Sequence, residues 1–151
     1  MKKTVLIIAC SLFLLSVSLC AQEDLAKARE KADHASPSDC AKSCFEAARQ
    51  LVDASNKEYG DGNVEQGLKL MNDALVYARR GTEASIKTHK NQKNAEIALR
   101  KMAKRVHDVS DSLALDDRPP VMEDQKLLER LRDDMLAAMF GSPKKSLGEA
   151  K

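Results

Sequence analysis

Two cysteines set the first chemical question. Cys40 and Cys44 fall in SPSDCAKSC, residues 36–44, four positions apart at the start of a helical pattern. On a helix such a pair shares a face, with Cβ atoms about 5–6 Å apart. A disulfide wants them about 3.5–4.5 Å apart, so an ideal helix does not close the bridge, whereas a frayed or tightened first turn does. An oxidising compartment would favour pairing. Thiols near a helix N-terminus have lowered pKa, which opens a redox role. His34 with Cys40 and Cys44 makes a three-ligand set, at a spacing unusual for zinc. Cys44 also lies on the apolar stripe, with Cys40 at its edge, so both fit as small packed hydrophobes. Disulfide, packed thiols, and redox or metal role all stay open at this stage.

The remaining residues do not spell a catalytic pattern. His34, His89 and His107 are far apart, with no H-E-x-x-H and no C-x-x-C-H. The residues three before each histidine are Lys31, Ile86 and Lys104, so the Glu-x-x-His pairs of di-iron bundles are missing. No Gly-rich phosphate loop and no G-x-S-x-G occur. The expectation is a protein that is not an enzyme and carries no cofactor and no metal.

Charge is segregated along the chain. Arg79, Arg80, Lys87, Lys90, Lys93, Arg100, Lys101, Lys104 and Arg105 share one stretch with only Glu83 and Glu96. From Asp108 to Asp134 there are nine acids and four bases. One reading makes Arg100, Lys101, Lys104 and Arg105 a face for an anionic partner, an envelope lipid or an acidic protein. The other pairs these bases with acids of the following helix, a contact of little energetic weight.

The elements that must position these residues begin after a leader. Lys2 and Lys3, the apolar run Thr4–Leu19 and the polar Gln22-Glu23-Asp24 form the pattern of a secretory signal, expected over residues 1–21. The run is short for a membrane span. Cleavage after Ala21 predicts a periplasmic or secreted product without a transmembrane helix; Leu19 before Cys20, and Ala9 before Cys10, leave a Cys20 lipid anchor as the lesser alternative. The chain has 25 Lys and Arg against 23 Asp and Glu, and losing Lys2 and Lys3 leaves a neutral product. Neutrality argues against nucleic acid, which needs a cationic footprint.

With no Trp, two Tyr and three Phe, a core must come from Leu, Ile, Val, Met and Ala, which favours helices. Residues 22–35 predict a marginal helix or charged leader. Ser36, Pro37 and Asp39 predict the start of the next helix, and Gly60–Gly62 its end. Val64, Leu68, Met71, Leu75, Ala78 and Ile86 mark a second stripe. Gly67 and Gly81 weaken that helix by up to about 1 kcal/mol each if exposed; for Gly67 the alternative is close helix–helix approach. The stripe loses phase at Thr88–Asn94, a turn, and restarts from Ala95 to Leu113. Pro119-Pro120 opens a last helix that runs from about Pro120 to Phe140, and residues 141–151 read as a flexible tail.

Four helices of about 21 to 27 residues, each roughly 30–40 Å long, predict an antiparallel four-helix bundle over residues 36–140. A 34-residue helical repeat is disfavoured by helix length. The segment from Lys93 to Ala103, KNAEIALRKMA, and DDRPPV, Asp116 to Val121, resemble a group of exported helical proteins of soil-type bacteria, over about residues 40–140. The resemblance implies the helix layout and the exported setting, and no activity. The expected function is a non-enzymatic exported bundle acting through protein or cell-envelope contacts. The alternatives are a periplasmic chaperone or stress-response binder, and a small metal- or cofactor-binding bundle.

Overall fold

The computed structural model describes residues 22–141. The expected signal segment, Cys10, Cys20 and all but the first residue of the expected tail lie outside the described residues. Within them the chain is all-helical, with five helices and no strand. These are α1 (22–33), α2 (Cys40–Gly60), α3 (Val64–Thr88), α4 (Gln92–Ser110) and α5 (Arg118–Phe140). No helix among the described residues is long and apolar enough to cross a membrane.

The helix boundaries follow from local chemistry, in places a few residues from where the sequence puts them. α2 starts at Cys40 rather than after Ser36, because residues 37–39 form a separate turn. The Ser36 carbonyl accepts from the amides of Asp39 (3.0 Å) and Cys40 (2.8 Å), and the Ser36 hydroxyl donates to Asp39 Oδ2 (2.8 Å). Gly62, at φ 82°, reverses the chain between α2 and α3. The turn into α4 uses two left-handed residues, His89 and Asn91, types that tolerate that conformation. Ser85 Oγ secures it by donating to the Lys90 carbonyl (2.6 Å). α5 begins two residues before Pro120, at Arg118. The Arg118 side chain folds back, Nε donating to the Leu113 carbonyl and Nη2 to that of Asp111, both at 2.9 Å. That clamp leaves Leu113 in the connection instead of in α4.

Consecutive helices are antiparallel. Ser55 near the end of α2 donates to the Gly67 carbonyl at the start of α3 (2.7 Å), while Phe45 near the start of α2 meets Gly81 late in α3. Glu96 early in α4 meets Arg132 late in α5 (2.7 Å). The two hairpins α2–α3 and α4–α5 lie side by side, α4 against α2 and α5 against α3, while α2 and α5 meet only marginally. Arg105 pairs with Asp53 midway along both helices, and the first turns, Ala41 of α2 and Ala95 of α4, line one cleft, so α2 and α4 run in the same direction. The core fills the space between these helices: Leu51, Val52, Met71, Leu99, Met102, Val106, Val121, Leu128 and Met135 are fully enclosed.

The N-terminal segment, read from sequence as a marginal helix or charged leader, is helical over residues 22–33 and lies against α2 and α3. Ala28 and Ala32 pack on Cys44 and Ala47, and Leu25 reaches the main core. Arg29 pairs with Asp73 (2.6 Å), and Asp33 accepts from Arg80 (3.0 Å) and Tyr77 (3.0 Å). Few large apolar groups were needed because small ones let α1 approach α2 closely. The exposed ion pairs set its register more than they add stability.

Candidate functional site

Because α2 and α4 run in the same direction, their first turns lie together at one end of the molecule. Between them is a cleft of about 390 Å³. Its apolar floor comes from Ala41 and Phe45 on α2 and from Ala95, Ile97, Ala98 and Met102 on α4. The periodicity of each helix explains the rest of the lining: positions flanking the stripe carry Lys42, Glu46 and Arg49 on one wall, and Asn94, Lys101 and Arg105 on the other. Four cations therefore surround one carboxylate.

Partners sort these charges. Arg49 Nη2 holds both oxygens of Glu46, at 2.8 and 3.0 Å, and Gln50 Nε2 adds a bond at 3.0 Å. The hydrogen bonds from Gln50 and Arg49 keep the Glu46 carboxyl below the usual carboxylate range. Arg105 is bound to Asp53. Lys42 and Lys101 are exposed, one on each wall, and neither has a carboxylate partner among the described residues. The co-directional N-termini of α2 and α4 add their partial positive ends nearby.

The basic residues singled out from sequence are thus split by the fold. Lys101 and Arg105 line the cleft. Arg100 lies 3.6 Å from Glu96 and Lys104 lies 2.7 Å from Asp108, each along α4 itself. Across the α4–α5 seam the sign is reversed from the sequence reading: the acid Glu96 is on α4 and the base Arg132 on α5.

Cys40 and Cys44 are free thiols with sulfurs 3.7 Å apart. This corrects the disulfide alternative. A sulfur–sulfur bond is about 2.05 Å long, and Cys40 is already the first residue of a regular helix, so its turn does not tighten to bring the sulfurs together. Burial first, then the Cys40 side chain, pushes the Cys44 thiol up to about 12. Cys44 therefore stays protonated at neutral pH. The three histidines sit in different elements: His34 follows α1, His89 is in the turn before α4, and His107 lies 3.7 Å from Asp111 on the outside of α4. No group of three or more His, Cys, Asp or Glu side chains comes together among the described residues.

One buried acid was not singled out as a site by sequence reasoning. Asp124 of α5 is only 8% exposed, and burial, with a smaller contribution from Glu123, raises its carboxyl pKa to about 6. It faces the end of α2, where it helps burial raise the Tyr59 phenol to about 12. The Tyr59 hydroxyl has no hydrogen-bond partner among the described residues. The signal was present: Asp124 falls three residues after Val121 and four before Leu128, on the buried stripe itself.

Fold and cleft together define a class: an all-helical module with a basic, apolar-floored groove between two co-directional helices. Comparison with protein-family models, with curated proteins and with solved structures gives no match.

Proposed function

We propose that this chain is an exported, non-enzymatic four-helix bundle, built from the hairpins α2–α3 and α4–α5, that binds an acidic segment of a partner protein in the α2/α4 cleft. The observation that carries this reading is the pair Lys42 and Lys101, without acidic partners among the described residues and lining the two walls of one cleft floored by Phe45, Ile97 and Ala98. Such a groove suits an apolar side chain flanked by carboxylates. An extended lipid surface would instead favour a broad basic face, and here Arg100 and Lys104 are neutralised along their own helix. The exported setting rests on residues 1–21 of the sequence.

The test is titration with a synthetic acidic amphipathic peptide bearing one central Phe or Leu, followed by NMR. Shifts are expected at Phe45, Ala98 and Lys101, with affinity falling as salt screens the charges. The double reversal Lys42→Glu/Lys101→Glu weakens binding at least about 10-fold, since like charges then oppose. An affinity unchanged by that reversal overturns the reading. So does capture by phosphatidylglycerol vesicles through the same two lysines with no response to the peptide, which assigns the groove to lipid.

A further inference from the structure

The thiol pair faces away from the cleft, toward α1 and α3, and poses a separate question. Cys44 is packed among Ala28, Ala32 and Ala47, while Cys40 is half-exposed at the first residue of α2. The Arg80 guanidinium lies alongside Cys40 and holds Asp33 on its other side. The sulfurs are 3.7 Å apart and unbonded. Two sulfurs on one pyramidal or tetrahedral centre, each bound at about 2.3 Å, stand roughly 3.4–3.8 Å from one another. The helix therefore holds the pair at a chelating separation.

The donor set narrows the ligand. Among the described residues no third His, Cys, Asp or Glu joins the pair to form a metal-binding group. An ion that needs four protein ligands is poorly served here. A centre that takes two sulfurs and brings its own third substituent is well served. We propose that Cys40 and Cys44 form a bidentate dithiol site for trivalent arsenicals and antimonials, of the type R–As(OH)₂. Two As–S bonds form and two As–O bonds break. Each thiol proton leaves with a hydroxyl as water, and arsenic stays trivalent, so no oxidant or reductant takes part. The exchange is neutral overall, which suits a buried Cys44 that resists ionisation. Half-exposed Cys40 gives the first bond, and Cys44, one turn away, closes the ring.

The test uses the full chain in a Cys10→Ser/Cys20→Ser background, reduced and folded, with phenylarsine oxide as probe. Intact mass is expected to show one phenylarsenic group per chain with both thiols closed to maleimide. Excess monothiol leaves the adduct in place and a dithiol removes it. Circular dichroism stays unchanged, because the helix already presents the pair. In Cys40→Ser and Cys44→Ser, or Cys44→Ala if serine disturbs packing, monothiol strips any adduct completely. The proposal is overturned if the folded chain takes up no arsenic. It is also overturned if single-cysteine variants hold the group as firmly, or if uptake requires loss of helicity.

Discussion

Replacing Gly67 with alanine lowers stability by about 2–3 kcal/mol, within the range found for overpacked cores. The sign is opposite to that for an exposed helical glycine, where alanine stabilises by up to about 1 kcal/mol. The reason is the α2–α3 contact. A Cβ on Gly67 would lie 2.5 Å from Tyr59 Cε1 and 2.6 Å from Cδ1. Tyr59 is 4% exposed and packed into the main core cluster, so its ring cannot simply swing out into solvent. The backbone is tied as well, because Ser55 Oγ bonds the Gly67 carbonyl. Either α3 moves outward or the ring leaves its rotamer. Urea denaturation is the measurement, with Gly60→Ala as reference, since a Cβ at Gly60 meets nothing within 4 Å. In a Tyr59→Ala background the added methyl loses most of its penalty, a coupling that a double-mutant cycle reads directly. A Gly67→Ala protein as stable as the parent would sink the argument.

Asp124→Asn stabilises the protein at pH 8 by about 2–3 kcal/mol, or roughly 5–10 °C in Tm. The folded carboxyl pKa is raised to about 6 from an ordinary value of 3.8. Between these values the folded state binds more protons than the unfolded chain. Stability at this residue is therefore greatest below pH 3.8, falls as pH rises to 6, and stays reduced above. The full difference is about 3 kcal/mol at 1.36 kcal/mol per pKa unit. Asparagine keeps a polar amide in the same place but never charges. The expected signature is the difference between parent and variant: large at pH 8, shrinking through the window from 6 to 4, and smallest at pH 4. Thermal unfolding across that range checks it. A pH-independent difference would mean that Asp124 acts through packing alone.

The helical class was legible in the sequence because each stripe repeats at helical spacing. Met71, Leu75 and Ala78, and likewise Leu99, Met102 and Val106, are buried as their positions demand. Gly60–Gly62 and Pro119-Pro120 marked real chain reversals. Boundaries slipped where a side chain outside the helix decided them, as when Arg118 of the next helix captured the carbonyls of Asp111 and Leu113. The docking of α1 was hard to see because it rests on alanines, which carry little hydrophobic signal. The cleft was not legible at all. Lys42 and Lys101 are 59 positions apart in the sequence, and only the side-by-side placement of two hairpins brings them to one groove. Adjacent letters in the basic cluster misled for the same reason. Arg100 and Lys101 are neighbours in sequence but point to different surroundings on a helix with 3.6 residues per turn.

The order in which the helices touch has a consequence for how the chain finds its shape. α3 contacts α1 through Asp73, Tyr77 and Arg80, and it contacts α2, α4 and α5 directly. Almost every other contact joins helices one or two steps apart in the chain, so the native structure is built mainly from neighbouring hairpins rather than by joining the two ends of the chain. Chains dominated by such nearby contacts fold quickly. The α2–α3 hairpin can assemble while α4 and α5 are still being synthesised, leaving it as the platform on which α4 settles against α2 and α5 against α3.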